Sequence, residues 1–273
     1  MNNALLQDAT GPVEFRLTND YLFRAVCQKN QHVLNGLISS LLGLEDDEII
    51  SATIQNPIKL GEAIDEKDVI LDLNILLNHA RRLNIEMQVL ENGDWAERSL
   101  YYLCRAFCNL NKGDNYTDVL PTIHIGILDF ILFPEAPEFY SKNLLMNVKT
   151  HQIYSSKFAL NVLELKSINL ATQEDKACKL DYWAKLFKAT TWEEIKMLAE
   201  QNNTLHEAAV TMRELTADEK IRMQCEARER YERDQYSMIR TGQMKQKKID
   251  EAIISAQAKE IEQLRQQLDA LEK

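Results

Sequence analysis

The sequence predicts an α/β fold in which a β-hairpin and a buried central strand are flanked by helices. Apolar and polar residues alternate with a period of two over 68–77 and 82–90, which is typical of two paired strands. The apolar stretch 119–133 indicates a central strand covered on both faces, with His124 as a hydrogen-bonded core histidine. With helices before and after the hairpin, the predicted order through residue 133 is α-β-β-β-α-β.

Helix-terminating residues bound the segment that precedes the hairpin. Asn19 and Asp20 suit the start of a helical unit over 18–43, and Gly43 suits its end. A short strand is expected near 49–55, before the hairpin begins. These signals predict one helical unit and one strand ahead of the hairpin.

The segments after the hairpin alternate between helix and strand and then become helical. Asp94 and Glu97 form a capping-box pattern that opens a helix over 94–110. Runs 144–148 and 158–165 predict further strands. Three more capping boxes are expected to open helices in the remaining part: Thr191 with Glu194, Thr204 with Glu207, and Thr216 with Glu219.

The composition is that of a globular protein, with 45% hydrophobic and 27% charged residues among 273. No apolar run reaches the length of a membrane span, no signal pattern is evident, and five scattered cysteines favour a reducing compartment. We therefore expect a cytoplasmic protein with no membrane partner. The net charge of −10 arises in residues 1–212, which hold 19 basic and 29 acidic side chains. This excess argues against non-specific, high-affinity coating of DNA.

One face of the predicted hairpin carries an unusual set of polar side chains. With a turn centred near His79, Asp72 lies opposite or nearly opposite Glu86, and Gln88 follows on the same face. Asp, Glu and Asn are poor strand formers, so their presence on both strands requires an explanation.

Two explanations of this polar face are open. Carboxylates about 5 Å apart across paired strands repel each other unless a cation lies between them, and an all-oxygen site suits Mg²⁺ or Mn²⁺. Such an ion would lower the pKa of a bound water and neutralise charge on a phosphate. The alternative is the solvent-exposed face of an ordinary two-sided hairpin, with the odd-numbered residues buried.

A resemblance to a known family favours the metal site. Asp72, thirteen intervening residues and then Glu86-Met-Gln88 resemble the variant PD-(D/E)XK motif of the Rpn-type, transposase-like nuclease family, in which a Gln commonly replaces the motif Lys. The similarity covers most of residues 16–240. Segments similar to the family's are 19–26, with Arg24 where Lys is usual, 96–103, 112–133, and 162–167, whose Lys is slightly out of place.

The resemblance implies a PD-(D/E)XK, restriction-endonuclease-like core with a mixed central sheet, and Mg²⁺-dependent DNA endonuclease activity linked to recombination or mobile elements. Asp72 and Glu86 would bind Mg²⁺ or Mn²⁺. Gln88 would orient the attacking water, although it cannot ionise and so cannot act as the base. The residues expected to face the substrate are Asp20, which is also expected to tune the site, Arg24, Lys67, Arg98 and Tyr101, with Arg105 and Lys112 on the same rim.

The C-terminal part is expected to extend this core and to provide an oligomer contact. The predicted domains are a nuclease-like domain over 1–170, a helical extension over 171–245 and a coiled-coil tail over 246–273. The tail has Ile254, Ile261 and Leu268 at one heptad position and Gln257, Leu264 and Leu271 at the other. With fewer than three heptads, the tail is expected to assist a homo-oligomer.

Two other functions remain open. The first is a recombination-associated DNA-binding protein that keeps the nuclease fold but cleaves poorly, which the Gln in the Lys position and the acidic nuclease half favour. The second is a protein-interaction module built around the helical tail. DNA retention without cleavage would indicate the first, and loss of function on removing 246–273 would indicate the second.

Overall fold

The protein folds as one mixed sheet flanked by helices, and its computed structural model describes residues 3–62, 72–108 and 110–271. The strands in these ranges are Ala52–Ile54 (β1), Leu73–Leu77 (β2), Arg81–Gln88 (β3), Thr122–Leu128 (β4), Tyr140–Met146 (β5) and Ile153–Glu164 (β6). The α-helices there are Asn3–Gln7 (α1), Asp20–Lys29 (α2), Gln31–Leu42 (α3), Trp95–Phe107 (α4), Gln173–Ala177 (α5), Leu180–Lys188 (α6), Trp192–Gln201 (α7), Asn203–Thr216 (α8) and Glu219–Leu271 (α9). The strand order is β1-β2-β3-β4-β6-β5, which confirms the predicted fold class.

The predicted hairpin is formed by β2 and β3. The two strands are antiparallel, with Leu73 opposite Ile85. Asn78 and His79 make the turn with φ angles of 51° and 54°, a left-handed conformation in which Asn and His are enriched among non-glycine residues. The first part of the predicted strand, residues 68–71, lies outside the described residues. The hairpin therefore places its polar residues at the start of β2 and along β3.

The strand β4 occupies the centre of the sheet, as the apolar stretch predicted. It lies between β3 and β6 and runs parallel to both. One face joins the main apolar core together with α2, α3 and α6 to α8. The other face is covered by α4, whose Trp95 packs with Leu128 and Val162. This double cover explains why β4 is mostly apolar, with His124 as a buried exception.

The segment predicted as one helical unit over 18–43 is two helices, because Asn30 interrupts it. The Asn30 side chain accepts hydrogen bonds from the backbone N–H groups of His32 and Val33, and its own N–H donates to the Val26 carbonyl. Asn30 thus ends α2 and starts α3. Gly43 ends α3 with φ 67°, as predicted.

Of the four predicted capping boxes, one is confirmed and three are wrong. Thr191 and Glu194 form a reciprocal box at α7. At α4 the Asp94 side chain makes no capping bond. The other two failures have a common cause, because a neighbouring residue caps the helix instead. Asn202 caps α8 in place of Thr204, and Asp218 caps α9 in place of Thr216. Short polar side chains compete for the same backbone donors, and the sequence pattern alone does not rank them.

The chain divides into two compact units, Met1–Glu229 and Arg230–Lys273. In the first unit, α6 to α8 contribute to the same apolar core as the sheet. The second unit is the C-terminal part of α9, where Ile254, Ile261 and Leu268 are exposed. None of the described helices combines the length and apolar character that crossing a membrane requires. The domain boundaries at 170 and 245 stay a prediction.

Candidate active site

Asp72 and Glu86 lie across from each other at the junction of β2 and β3. One step beyond the pair Leu73 and Ile85 in the antiparallel register brings Asp72 opposite Glu86. Both residues are buried, with relative exposures of 4% for Asp72 and 3% for Glu86. Asn84, two residues before Glu86 on the same face of β3, is exposed by only 3%. The interpretation of this face as solvent-exposed is therefore wrong. The face is polar and covered.

A glycine allows α4 to approach this face closely. Gly126 of β4 is paired with Glu86 in the parallel register. A Cβ at Gly126 would lie 2.2 Å from Cζ2 of Trp95, so the indole ring occupies the space that any other residue would fill. The Trp95 ring also packs against His124, with centroids 5.8 Å apart. This packing sets the position of α4 and brings Arg98, one turn further on, over Glu86.

A chain of polar contacts connects the two carboxylates. Asn84 Nδ2 donates to Asp72 Oδ2 at 3.3 Å and to His124 Nδ1 at 2.9 Å. His124 Nε2 lies 3.7 Å from Glu86 Oε2. Arg98 donates through Nε and Nη2 to Glu86 Oε1, at 2.9 and 2.8 Å. Three side chains, Asn84 of β3, His124 of β4 and Arg98 of α4, therefore orient the carboxylates of Asp72 and Glu86.

The burial of the two carboxylates makes their ionised forms unfavourable. Burial raises the pKa of Asp72 to about 6, against the lowering effects of the Asn84 hydrogen bond and the charges of Arg98 and Arg24. Burial and the nearby charge of Asp72 raise the pKa of Glu86 to about 7, although Arg98 opposes this. At neutral pH the pair is thus poised to gain from any positive charge placed between them.

His124 is neutral in this environment, which limits what it can contribute. Burial, and to a lesser extent the charge of Arg98, lower the pKa of His124 to about 4. Because Nδ1 accepts the hydrogen bond from Asn84, Nε2 carries the proton and faces Glu86 Oε2. The prediction of a hydrogen-bonded core histidine is confirmed, and this histidine also orients the site.

The donor atoms fit a hard divalent cation. Glu86 Oε2 and Asn84 Oδ1 are buried oxygens without a hydrogen-bond partner, which is costly unless a further group binds them. Carboxylate and amide oxygens are ligands that Mg²⁺ and Mn²⁺ accept. No cluster of three or more His, Cys, Asp or Glu side chains suited to a metal occurs within residues 3–62, 72–108 and 110–271. An ion here would therefore complete its shell with waters and substrate oxygens.

Gln88 follows Glu86 on the same face of β3 and is half-buried. Its amide Nε2 donates to the Leu90 carbonyl at 2.8 Å. The atom with which Gln88 can accept a hydrogen bond from a water is consequently Oε1. The side chain is held by the backbone that leaves β3, rather than by the two carboxylates.

Two residues of α2 act on Asp72, one through its backbone and one through its charge. Arg24 is fully buried and donates to the backbone carbonyls of Asp72 and Asn56, which fixes the chain at the start of β2. Asp20 receives two hydrogen bonds from Arg228 of α9. The charge of Asp20 also contributes to raising the pKa of Asp72.

The other residues expected to face the substrate have different surroundings. Arg98 is bound to Glu86, and its guanidinium lies 5.2 Å from the centre of the Tyr102 ring. Tyr101 is 63% exposed and packs edge-on against Tyr102. Lys112 is exposed. Lys67 lies outside the described residues, so the structure does not locate it.

A cleft opens beside Asp72. Its volume is about 430 Å³, and its walls include Arg24, Asn84, Tyr102 and Arg105. Asp72 therefore lines a cavity that has two arginines on its walls. This arrangement suits an anionic substrate that approaches Asp72 through the cleft.

Comparison with known families agrees with these features. The family model for PD-(D/E)XK nuclease family transposases matches residues 17–242. The chain belongs to this family. Members of the PD-(D/E)XK nucleases generally use divalent metals, and the resemblance inferred from Asp72, Glu86 and Gln88 is confirmed at the level of the family. No match emerged among curated proteins or among solved structures.

Three residues contribute to the candidate site of this PD-(D/E)XK nuclease-family chain although the sequence did not predict their role there. His124 was expected only in the core, because its contact with Asn84 depends on the parallel register of β3 and β4. Trp95 contributes because its ring packs directly on Gly126 and so positions α4. The only sequence signal of this contact was the glycine in a strand, which can mark a place where another element packs closely on the backbone. Arg228 pairs with Asp20 across 208 positions of sequence, and no sequence signal predicted that contact.

Proposed function

We propose that this protein is a divalent-metal-dependent DNA endonuclease that hydrolyses phosphodiester bonds, with Asp72 and Glu86 as the metal ligands. The observation that carries the proposal is the pair of opposed, buried carboxylates whose pKa values are raised and whose Glu86 Oε2 has no partner. Membership of the PD-(D/E)XK nuclease family supports the same reaction class. The ion would be Mg²⁺ or Mn²⁺, because the donors are oxygens.

The chain's own residues have distinct tasks in this reaction. A bound divalent ion would supply positive charge against the phosphate and lower the pKa of a water. Arg98 holds Glu86 by Oε1 and so leaves Oε2 directed away from the guanidinium. Asn84 keeps Asp72 oriented through Oδ2. Gln88 orients the attacking water through Oε1, since it can accept a hydrogen bond but cannot take up a proton.

Plasmid cleavage tests this proposal. Purified protein is incubated with supercoiled plasmid in Mg²⁺ or Mn²⁺, with EDTA as the metal-free control, beside Asp72→Asn and Glu91→Gln. Glu91 is an exposed carboxylate five positions after Glu86, so its variant controls for a general loss of negative charge. We expect cleavage by the wild type and Glu91→Gln only. Equal cleavage by Asp72→Asn would exclude Asp72 as a metal ligand.

A second candidate is a nuclease-fold DNA-binding protein that cleaves poorly, and Gln88 favours it. The usual Lys position holds a side chain that cannot be protonated, and its amide is bonded to the Leu90 carbonyl. This candidate predicts a gel shift of DNA with no cleavage in any divalent metal. Cleavage that EDTA abolishes would contradict it.

We also propose recombination or mobile-element DNA as the biological context, and a second copy of this chain as a partner. The family's description as transposases supports the first. The exposed heptad residues Ile254, Ile261, Leu264 and Leu268 support the second, because an isolated amphipathic helix gains stability when such a seam is covered. Glu260 and Arg265 would pair between parallel helices.

A further inference from the structure

The cleft beside Asp72 has the size of a small-molecule site. Its volume of about 430 Å³ lies in the range of about 300–1,000 Å³ that is usual for ligand pockets. Such a space accommodates a nucleotide but not a base-paired helix. A phosphodiester that approaches Asp72 through the cleft must therefore bring its attached nucleotide into the cleft.

The burial of Asp72 excludes a shallow approach to the site. Asp72 lines the cleft but is exposed by only 4%, so a phosphate resting on the protein surface does not reach it. In duplex DNA each base is paired and stacked inside the helix, and enzymes that act inside a pocket require an unpaired or extruded nucleotide. The burial of Asp72 therefore favours a strand whose bases are unpaired.

The walls of the cleft carry the chemistry of a nucleotide site. Arg105 is exposed on α4 and lines the cleft, as does the fully buried Arg24. Arg24 Nε and Asn84 Oδ1 are buried polar atoms without a hydrogen-bond partner, one a donor and one an acceptor. Guanidinium groups bind phosphate oxygens, and an unpaired amide oxygen can accept from a base or a water.

An aromatic pair, Tyr101 and Tyr102, lies on α4, the helix that also carries Arg105. Tyr102 lines the cavity, and Tyr101 packs against it with ring centroids 5.5 Å apart and is 63% exposed. Aromatic side chains beside cationic groups are the usual platform for single strands, because each unpaired base offers a face for stacking. A duplex offers such faces only at its ends.

We infer that this cleft binds one unpaired nucleotide of a single-stranded or flapped nucleic acid, with Arg105 on its phosphate and Tyr102 against its base. The inference rests on the proposed function, since it names the substrate class of the same site. It makes unpaired segments the substrate that reaches Asp72, rather than fully paired duplex; such segments include those that open in a negatively supercoiled plasmid. General electrostatic attraction predicts the opposite order, because a duplex has the higher charge density.

Fluorescence anisotropy separates these two outcomes. A labelled 12-nucleotide phosphorothioate strand, alone or annealed to its complement, is titrated in Mg²⁺ with the full-length protein, Arg105→Ala, Tyr102→Ala and Lys149→Ala. Lys149 is an exposed cation in the turn after β5, at the edge of the sheet opposite β1, and serves as the charge-matched control. Arg105 is exposed, so its variant tests the site even if Tyr102→Ala fails to fold.

We expect the wild type to bind the single strand at least tenfold more tightly than the duplex. Arg105→Ala and Tyr102→Ala should each lose about tenfold in single-strand affinity. Lys149→Ala should lose none. Equal affinity for the duplex, no binding of the single strand, or unchanged binding by Arg105→Ala would overturn the inference. Cleavage of unmodified flap and duplex substrates distinguishes the two proposals. Binding as expected without cleavage contradicts the nuclease and supports the cleft assignment, whereas cleavage of intact duplex with equal affinities does the reverse.

Discussion

Replacing Asp72 with asparagine should stabilise the metal-free protein at neutral pH while removing its activity. Asp72 is buried beside Glu86, and burial raises the pKa of Asp72 to about 6. An amide of the same shape can still accept from Asn84 but carries no charge to be desolvated. Stability and function thus make opposite demands on this position.

The magnitude follows from the difference between the two pKa values of Asp72. The folded value of about 6 exceeds the ordinary value of 3.8, and one pKa unit corresponds to about 1.4 kcal/mol, so ionising Asp72 costs the folded state about 3 kcal/mol. A group with a raised folded pKa lowers stability as pH rises from the unfolded to the folded value. The advantage of Asp72→Asn should therefore be absent below about pH 4 and complete above about pH 6.

Denaturant unfolding in EDTA at pH 4 and pH 8 measures this difference, beside wild type and Glu91→Gln. We expect Asp72→Asn to gain about 2–3 kcal/mol at pH 8, little at pH 4, and Glu91→Gln to match wild type at both. Saturating Mn²⁺ should remove the difference by stabilising the wild type alone, by about 2.7 kcal/mol at one hundred times its Kd. A destabilised Asp72→Asn at pH 8, or an equal gain at both pH values, would refute the reasoning.

Three further changes test the support of the site and the tail. Gly126→Ala should lose about 1–3 kcal/mol of stability and most metal affinity, because the added Cβ would meet the Trp95 ring. The control Gly242→Ala, whose Cβ would have nothing within 4 Å, should lose no stability. Equal melting temperatures of the two variants would contradict this. Asn30→Ala should cost about 1 kcal/mol in denaturant unfolding through the lost cap of α3, and an unchanged midpoint would count against that cap. Deleting residues 246–273 should halve the mass seen in sedimentation equilibrium without changing the single-strand affinity; an unchanged mass would remove the tail as the oligomer contact.

The position of the two acidic side chains was predictable because it depends on local rules. A period-2 pattern, a short turn and antiparallel pairing together imply that Asp72 and Glu86 face each other, and the β2–β3 register agrees. The family resemblance started from residues within that same hairpin and extended to segments over most of residues 16–240. The fold class followed from the same patterning of strands and helices along the chain.

The cover over the acidic pair was not predictable from local rules, because it depends on contacts distant in sequence. Alternation alone is equally compatible with an exposed polar face, and only the packing of Trp95 on Gly126 brings α4 over Glu86. The Asn84–His124 contact likewise requires the parallel pairing of β3 with β4. These contacts bury the carboxylates and raise their pKa values.

The capping predictions failed for a different physical reason. Asn202 and Thr204 are both able to cap α8, and Asp218 competes with Thr216 at α9 in the same way. Which of the two residues caps the helix depends on the residue at which tertiary packing lets the helix begin. These errors shift helix boundaries by a residue or two and leave the site unaffected.

The central claim is that Asp72 and Glu86 bind one divalent ion, and calorimetric titration of Mn²⁺ into the metal-free protein tests it most directly. The wild type and Glu91→Gln should bind one ion per chain, and Glu86→Gln should bind at least tenfold more weakly, because it loses the carboxylate that carries the unpartnered Oε2. Equal affinity and stoichiometry for wild type and Glu86→Gln would contradict the claim.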